Sequence, residues 1–77
     1  MTMRTKFDVE LFGERLNQLR TSRKISTQKL ADALGVSHTT ISKWEHGKQY
    51  PSVDSLFNIT QFFNVPAGYL LGTEDKK

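Results

Sequence analysis

Residues 27–46, Thr-Gln-Lys-Leu-Ala-Asp-Ala-Leu-Gly-Val-Ser-His-Thr-Thr-Ile-Ser-Lys-Trp-Glu-His, decide the fold. Leu30, Ala31 and Leu34 recur at helical spacing; Gly35 interrupts them; Ile41 and Trp44 then recur three apart. This spacing predicts two short amphipathic helices joined at Gly35, a residue that takes a positive φ without the Cβ clash others meet. Ser26 and Ser37 stand where each helix needs an N-cap oxygen. Ala31 is small enough for the helices to cross closely, while Val36, Ile41 and Trp44 pin the second against the first. Two helices across a tight glycine turn make a helix-turn-helix. A plain helical hairpin in an interaction domain would use the same packing residues, so the outward face must separate the two.

That outward face carries His38, Thr39, Ser42 and Lys43 on the first two turns of the second helix. Histidine and lysine donate to guanine N7 or O6, and threonine adds a methyl that meets a thymine methyl. Ser37 and Thr40 are short enough to bond phosphate while the backbone comes close, and the helix N-terminus itself attracts phosphate. No large apolar residue occupies this face, as a protein-docking helix would more often have. Such a helix suits the major groove of double-stranded DNA.

Charge distribution agrees. The 77 residues carry a formal charge of only +3. Between Arg20 and Lys48, however, six cations (Arg20, Arg23, Lys24, Lys29, Lys43, Lys48) face only Asp32 and Glu45. A basic stripe beside a hydroxyl-rich helix points to a polyanion partner, though charge alone would more often mark an ordinary solvated face.

Length bounds the rest. A chain this short buries only about 60% of its unfolded surface, and with no cysteine it has neither disulfides nor thiolate zinc sites. Helix packing is the remaining route to stability. Apolar runs stop at three or four residues, far short of the roughly 20 that cross a bilayer, and no signal peptide opens the chain. A soluble, cytoplasmic protein with no membrane partner is expected, bacterial or phage-encoded and associated with the nucleoid.

Along the chain, residues 1–6 read as a flexible arm, 7–72 as one domain and 73–77 as a polar tail. Asp8 caps a first helix that buries Leu11, Phe12, Leu16 and Leu19 and ends near Arg23, with Lys24 turning the chain. The helix pair of 27–46 follows and Gly47 closes it. Ser52 caps a fourth helix carrying Val53, Leu56, Ile59 and Phe63 inward, with Thr60 tolerated beside them. Asn64 takes a left-handed turn, and Pro66 opens a short fifth helix with Tyr69, Leu70 and Leu71, ended by Gly72. The expected class is all-α with five short helices.

Several blocks in this order resemble one family. Gly13-Glu14-Arg15-Leu16, Lys29-Leu30-Ala31, Leu34-Gly35-Val36-Ser37 and Thr40-Ile41-Ser42-Lys43-Trp44-Glu45 are its marks here. Gly47-Lys48, Pro51-Ser52, Leu56 and Tyr69-Leu70-Leu71-Gly72 extend it. Together they resemble the lambda-repressor-like, Cro/repressor-type helix-turn-helix family, also called the xenobiotic-response-element type, from about Phe12 to Gly72. The resemblance implies a compact five-helix DNA-binding domain. It implies base contacts at His38, Thr39 and Lys43, with Ser42 beside them on the same face. Thr27, Gln28, Thr40 and His46 would lie near phosphate, joined by Ser37 and Lys48. It also implies a partly buried ion pair between Arg20 and Glu45. Two positions depart from the pattern: Thr27 stands where the family usually has glutamine, with Gln28 one residue later, and Lys24 replaces a glycine in the first interhelical turn.

Other chemistry finds little support. His38 and His46 are eight apart with no carboxylate at ligand spacing on their face, so no metal site is expected. Ser37 and His38 are adjacent and diverge on a helix, so no nucleophile–base pair exists, and Glu10 and Glu14 read as a solvated face. No enzyme, cofactor or small-molecule site is expected. Arg4 and Lys6 give the arm a possible reach into a minor groove; a disordered tail is the plainer reading. Phe57 and Phe62 either add to the core against the first and fifth helices or form a dimer surface with Tyr69 and Leu70. The overall expectation is a sequence-specific regulator, most like a prophage-type repressor, binding a palindromic operator as a homodimer, with no separate sensing domain within these residues. The alternative is an antitoxin- or coactivator-like module whose main partner is another protein.

Overall fold

Four of the five helices start on a side-chain cap that lies where the sequence places it. The computed structural model describes residues 6–77, so the expectations on the arm before Lys6, Arg4 included, lie outside the described residues. The helices are α1 (Val9–Ser22), α2 (Thr27–Leu34), α3 (His38–Glu45), α4 (Val53–Phe63) and α5 (Ala67–Leu71). Asp8 accepts from the Leu11 N–H, Ser26 from Lys29, Ser37 from Thr40 and Ser52 from Ser55. Each satisfies one N–H that the first helical turn leaves without an internal partner. Pro66 precedes α5 without a side-chain bond, as a residue with no such donor or acceptor must.

Left-handed residues end three helices: Gly35 after α2, Asn64 after α4 and Gly72 after α5. Lys24 also takes the left-handed conformation, at φ +56°. It occupies the first interhelical turn, where the backbone needs that conformation whatever side chain is present.

One core holds the helices together. Phe12, Leu16 and Leu19 of α1, Leu30 and Ala31 of α2, and Ile41 and Trp44 of α3 are buried with Ile59, Phe63, Val65, Tyr69 and Leu70. α1 packs on α3 and α5, and α2 packs on α3 and α4. α3 is therefore held from behind by two helices. Thr60 is buried as well, and its Oγ1 donates to the Phe57 carbonyl at 2.6 Å, which satisfies the hydroxyl within α4.

The inward stripes differ from expectation at their ends. Val53 is 84% exposed and Leu71 is exposed, while Leu11, Leu34 and Leu56 are half-buried. Helical spacing assigns a side, but the stripe of α4 closes on the core only from Leu56 onward. Val53, its first residue, lies before that point.

Candidate nucleic-acid interface

α3 divides as the spacing requires. Ile41 and Trp44 are buried against α1 and α2, whereas His38, Thr39 and Lys43 are exposed and Ser42 is half-exposed. The Ser37 Oγ caps the helix at 3.1 Å from the Thr40 N–H and lies 2.9 Å from the Thr40 Oγ1. Two hydroxyls and the first N–H groups of α3 thus gather at one end. At the other end, His46 is exposed and its Nδ1 lies 2.7 Å from the Ser42 carbonyl. A protonated Nδ1 makes that bond, leaving Nε2 for an outside partner. Lys48, exposed in the next loop, donates its backbone N–H to the Lys43 carbonyl at 2.8 Å.

α2, which packs on α3, starts with the other two residues expected near phosphate. Thr27 is its first residue and is half-buried; Gln28 is exposed, and its Nε2 donates to Asp32 Oδ1 at 2.9 Å. The glutamine one residue late is thus bonded along its own helix.

The bracing behind α3 is an ion pair. Arg20 Nε donates to Glu45 Oε2 at 2.6 Å and Nη2 to Oε1 at 3.1 Å, and the two side chains are 15% and 6% exposed. Arg20 Nη1 also donates to the Ile25 carbonyl at 2.8 Å. One guanidinium therefore ties α1 to the turn before α2 and to the end of α3. The hydrogen bond to Glu45 holds the Arg20 guanidinium above the ordinary arginine range, against the opposing pull of burial and with help from the Glu45 charge.

A third member of this network was not read from the sequence. Asn17 Nδ2 donates to Glu45 Oε1 at 3.0 Å. Asn17 precedes Arg20 by three residues, so it shares that side of α1.

Arg23 is an exposed cation of the stripe with a structural contact besides: its Nη2 donates to the Phe63 carbonyl at 2.6 Å and its guanidinium lies 5.0 Å from the Phe63 ring centroid. It satisfies a carbonyl at the end of α4. Tyr69 and Leu70 cannot belong to an exposed dimer surface, because they are 6% and 0% exposed in the core. Arg15 stacks over the outer side of Tyr69 at 4.4 Å and covers it further. Phe62 is half-buried and meets Phe63 edge-on at 4.9 Å, whereas Phe57 is 61% exposed. Arg23, Lys24, Lys29, Lys43 and Lys48 are the exposed cations of the stripe, and Arg20 alone is drawn inward. Among the described residues, no helix is long and apolar enough to cross a membrane.

Known proteins resemble this chain in sequence and in fold. The Helix-turn-helix family model HTH_3 matches residues 16–70. The chain is 48% identical over 64 residues to the HTH-type transcriptional activator BcrR of Enterococcus faecalis, a match covering 83% of this chain and 31% of that protein. It is 36% identical over 66 residues to the HTH-type transcriptional regulator DicA of Escherichia coli, covering 84% and 49% respectively. The chain thus spans half the length of these relatives or less. Among solved structures, it is similar to the P22 c2 repressor in complex with a synthetic operator, with a TM-score of 0.78 and 31% identity over 83% of this chain and 97% of that one. The restriction-modification controller protein C.AhdI of Aeromonas hydrophila superimposes with a TM-score of 0.75 at 25% identity, over 82% and 96%. These are regulators, not enzymes. With five helices arranged as above and the family model matching residues 16–70, the chain belongs to the helix-turn-helix family of transcriptional regulators.

Proposed function

We propose that this chain reads a palindromic DNA operator as a homodimer, in the manner of a prophage-type repressor. The observation that carries the reading is the division of α3: Ile41 and Trp44 are buried, while His38, Thr39 and Lys43 stand exposed on the opposite side. Those three, with Ser42, take the base edges. Ser37, Thr40, His46 and Lys48 surround them with groups that donate to phosphate. At the α2 end Thr27 takes the phosphate by close approach, and Gln28 assists only by leaving Asp32, to which it is bonded. The likeness to the P22 c2 repressor, over nearly all of that chain, supports repression. Bound in the major groove, the protein would exclude polymerase or a competing regulator.

A dimer places two copies of α3 in successive major grooves about 34 Å apart. Phe57, exposed on α4, supplies an apolar contact for the second copy, with Val53 one turn before it. Tyr69 and Leu70 have no part in it. The protein acts in the cytoplasm, on the nucleoid.

Selection from a random-sequence duplex library tests this reading. The expected product is a palindrome, with base preference altered by alanine at His38, Thr39 or Lys43. Each bidentate contact is worth roughly 1–3 kcal/mol of discrimination. Retention of the parent preference by all three variants would remove α3 as the reading element. Phe57→Ala is expected to weaken dimer formation in sedimentation; unchanged self-association would sink the α4 contact.

A further inference from the structure

Tyr50 is 55% exposed, yet it is not loose. It lies two residues beyond Lys48 in the loop that joins α3 to α4. Among the described residues, neither Gln49 nor Tyr50 takes part in a hydrogen bond. What holds Tyr50 is a ring: its centroid is 5.6 Å from that of Phe7, at an interplanar angle of 53°. Phe7 is itself fixed. It precedes the Asp8 cap and packs at 5.8 Å on Phe12, the residue four positions after that cap, as a hydrophobic staple. Phe12 in turn meets Trp44 at 6.4 Å, edge-on. Four rings thus run from the buried side of α3, through the start of α1, to the exposed loop. The start of the loop is fixed as well, because a Cβ on Gly47 would lie 3.2 Å from the Glu10 Cα in the first turn of α1.

We propose that Phe7 and Tyr50 form a positioning clamp that holds Lys48 against the DNA backbone. It rests on the reading above, in which Lys48 meets phosphate. A lysine on an unanchored loop loses backbone as well as side-chain freedom when it binds. The Lys48 N–H is already bonded to the Lys43 carbonyl; the tilted packing of Tyr50 on the stapled Phe7 fixes the loop on the other side of Lys48 beforehand, which leaves more of the contact as affinity. The pair touches no base, so it acts on affinity and not on sequence preference. It also joins the chain just before α1 to the loop just after the reading helix, two segments far apart in sequence.

The test measures binding of the 77-residue chain across a range of salt concentrations, to the duplex recovered by selection and to an arbitrary duplex of equal length. Lys48→Ala should lower the slope of log affinity on log salt by about one contact, with a loss of about three- to tenfold. Tyr50→Ala should reproduce both effects with base preference unchanged, and with a fall in melting temperature no larger than the loss of one aromatic contact brings, because Tyr50 lies outside the core. Tyr50→Phe, which keeps the ring, should bind as the parent. Tyr50→Ala added to Lys48→Ala should cost nothing further. Full additivity of the two, or a Tyr50→Ala variant with the parent's affinity and slope, overturns the clamp. A Lys48→Ala variant that binds as the parent also overturns it, while leaving α3 as reader if alanine at His38, Thr39 or Lys43 still changes base preference.

Discussion

Arg20 grips Glu45 at two points, with its Nε and Nη2 on the two carboxylate oxygens at 2.6 and 3.1 Å. Because Arg20 also holds the Ile25 carbonyl, this contact fixes where the end of α3 stands relative to α1 and the entry to α2. Removing one partner strands the other in a site that water scarcely reaches. Glu45→Ala is expected to cost about 3 kcal/mol, at the lower end for a buried pair that loses one member. Replacing both residues with apolar ones of similar size, Arg20→Met with Glu45→Leu, should recover much of that loss. Urea unfolding followed by Trp44 fluorescence measures both, and equal stability of the single and double variants would refute the argument. The raised pKa of Arg20 means that this stabilisation is present below the ordinary arginine range and is lost only as pH rises through a still higher value. Arg20 therefore adds no pH dependence near neutrality.

Gly13 decides how closely α1 and α3 approach. A Cβ there would collide with the Trp44 carbonyl oxygen and stand 2.7 Å from that of Glu45. Alanine would gain about 1 kcal/mol of helix propensity. Both obstacles are backbone, however, and yield only if α3 moves, at an overpacking cost of about 1–3 kcal/mol or more. Gly13→Ala should therefore be less stable than the parent and should bind duplex DNA more weakly. Gly35→Ala makes a useful contrast, since nothing lies within 4 Å of a Cβ there and only the left-handed strain, about 1 kcal/mol, remains. A Gly13→Ala protein that melts at or above the parent's temperature would show that the collision is relieved cheaply.

Lys24 sits at φ +56°, a conformation that costs an L residue of order 1 kcal/mol. Lys24→Gly should raise stability by up to about that amount, less the extra freedom glycine gives the unfolded chain. If the exposed ammonium also meets phosphate, the same substitution lowers the salt slope by about one. A gain in melting temperature with an unaltered slope would assign Lys24 to the turn alone.

The helices and their ends were legible in the sequence because their causes are local. A capping hydroxyl or carboxylate acts on an N–H three residues away, as Asp8, Ser26, Ser37 and Ser52 do. Left-handed turns at Gly35, Asn64 and Gly72 likewise depend on a single residue's φ. The two sides of α3 were legible too, since helical spacing separates Ile41 and Trp44 from His38, Thr39 and Lys43. Tertiary structure alone decided which charges are free and which apolar groups are covered. Arg23 and Arg20 look alike as cations of one stripe, but one reaches the Phe63 carbonyl and the other Glu45, 40 and 25 residues away. Asn17 gained its role, and Val53 and Tyr69 their opposite exposures, in the same way. Periodicity reports only the side of a helix on which a residue lies. What that side meets, and whether a long side chain is held there or left to solvent, depends on elements that come together only when the chain has folded.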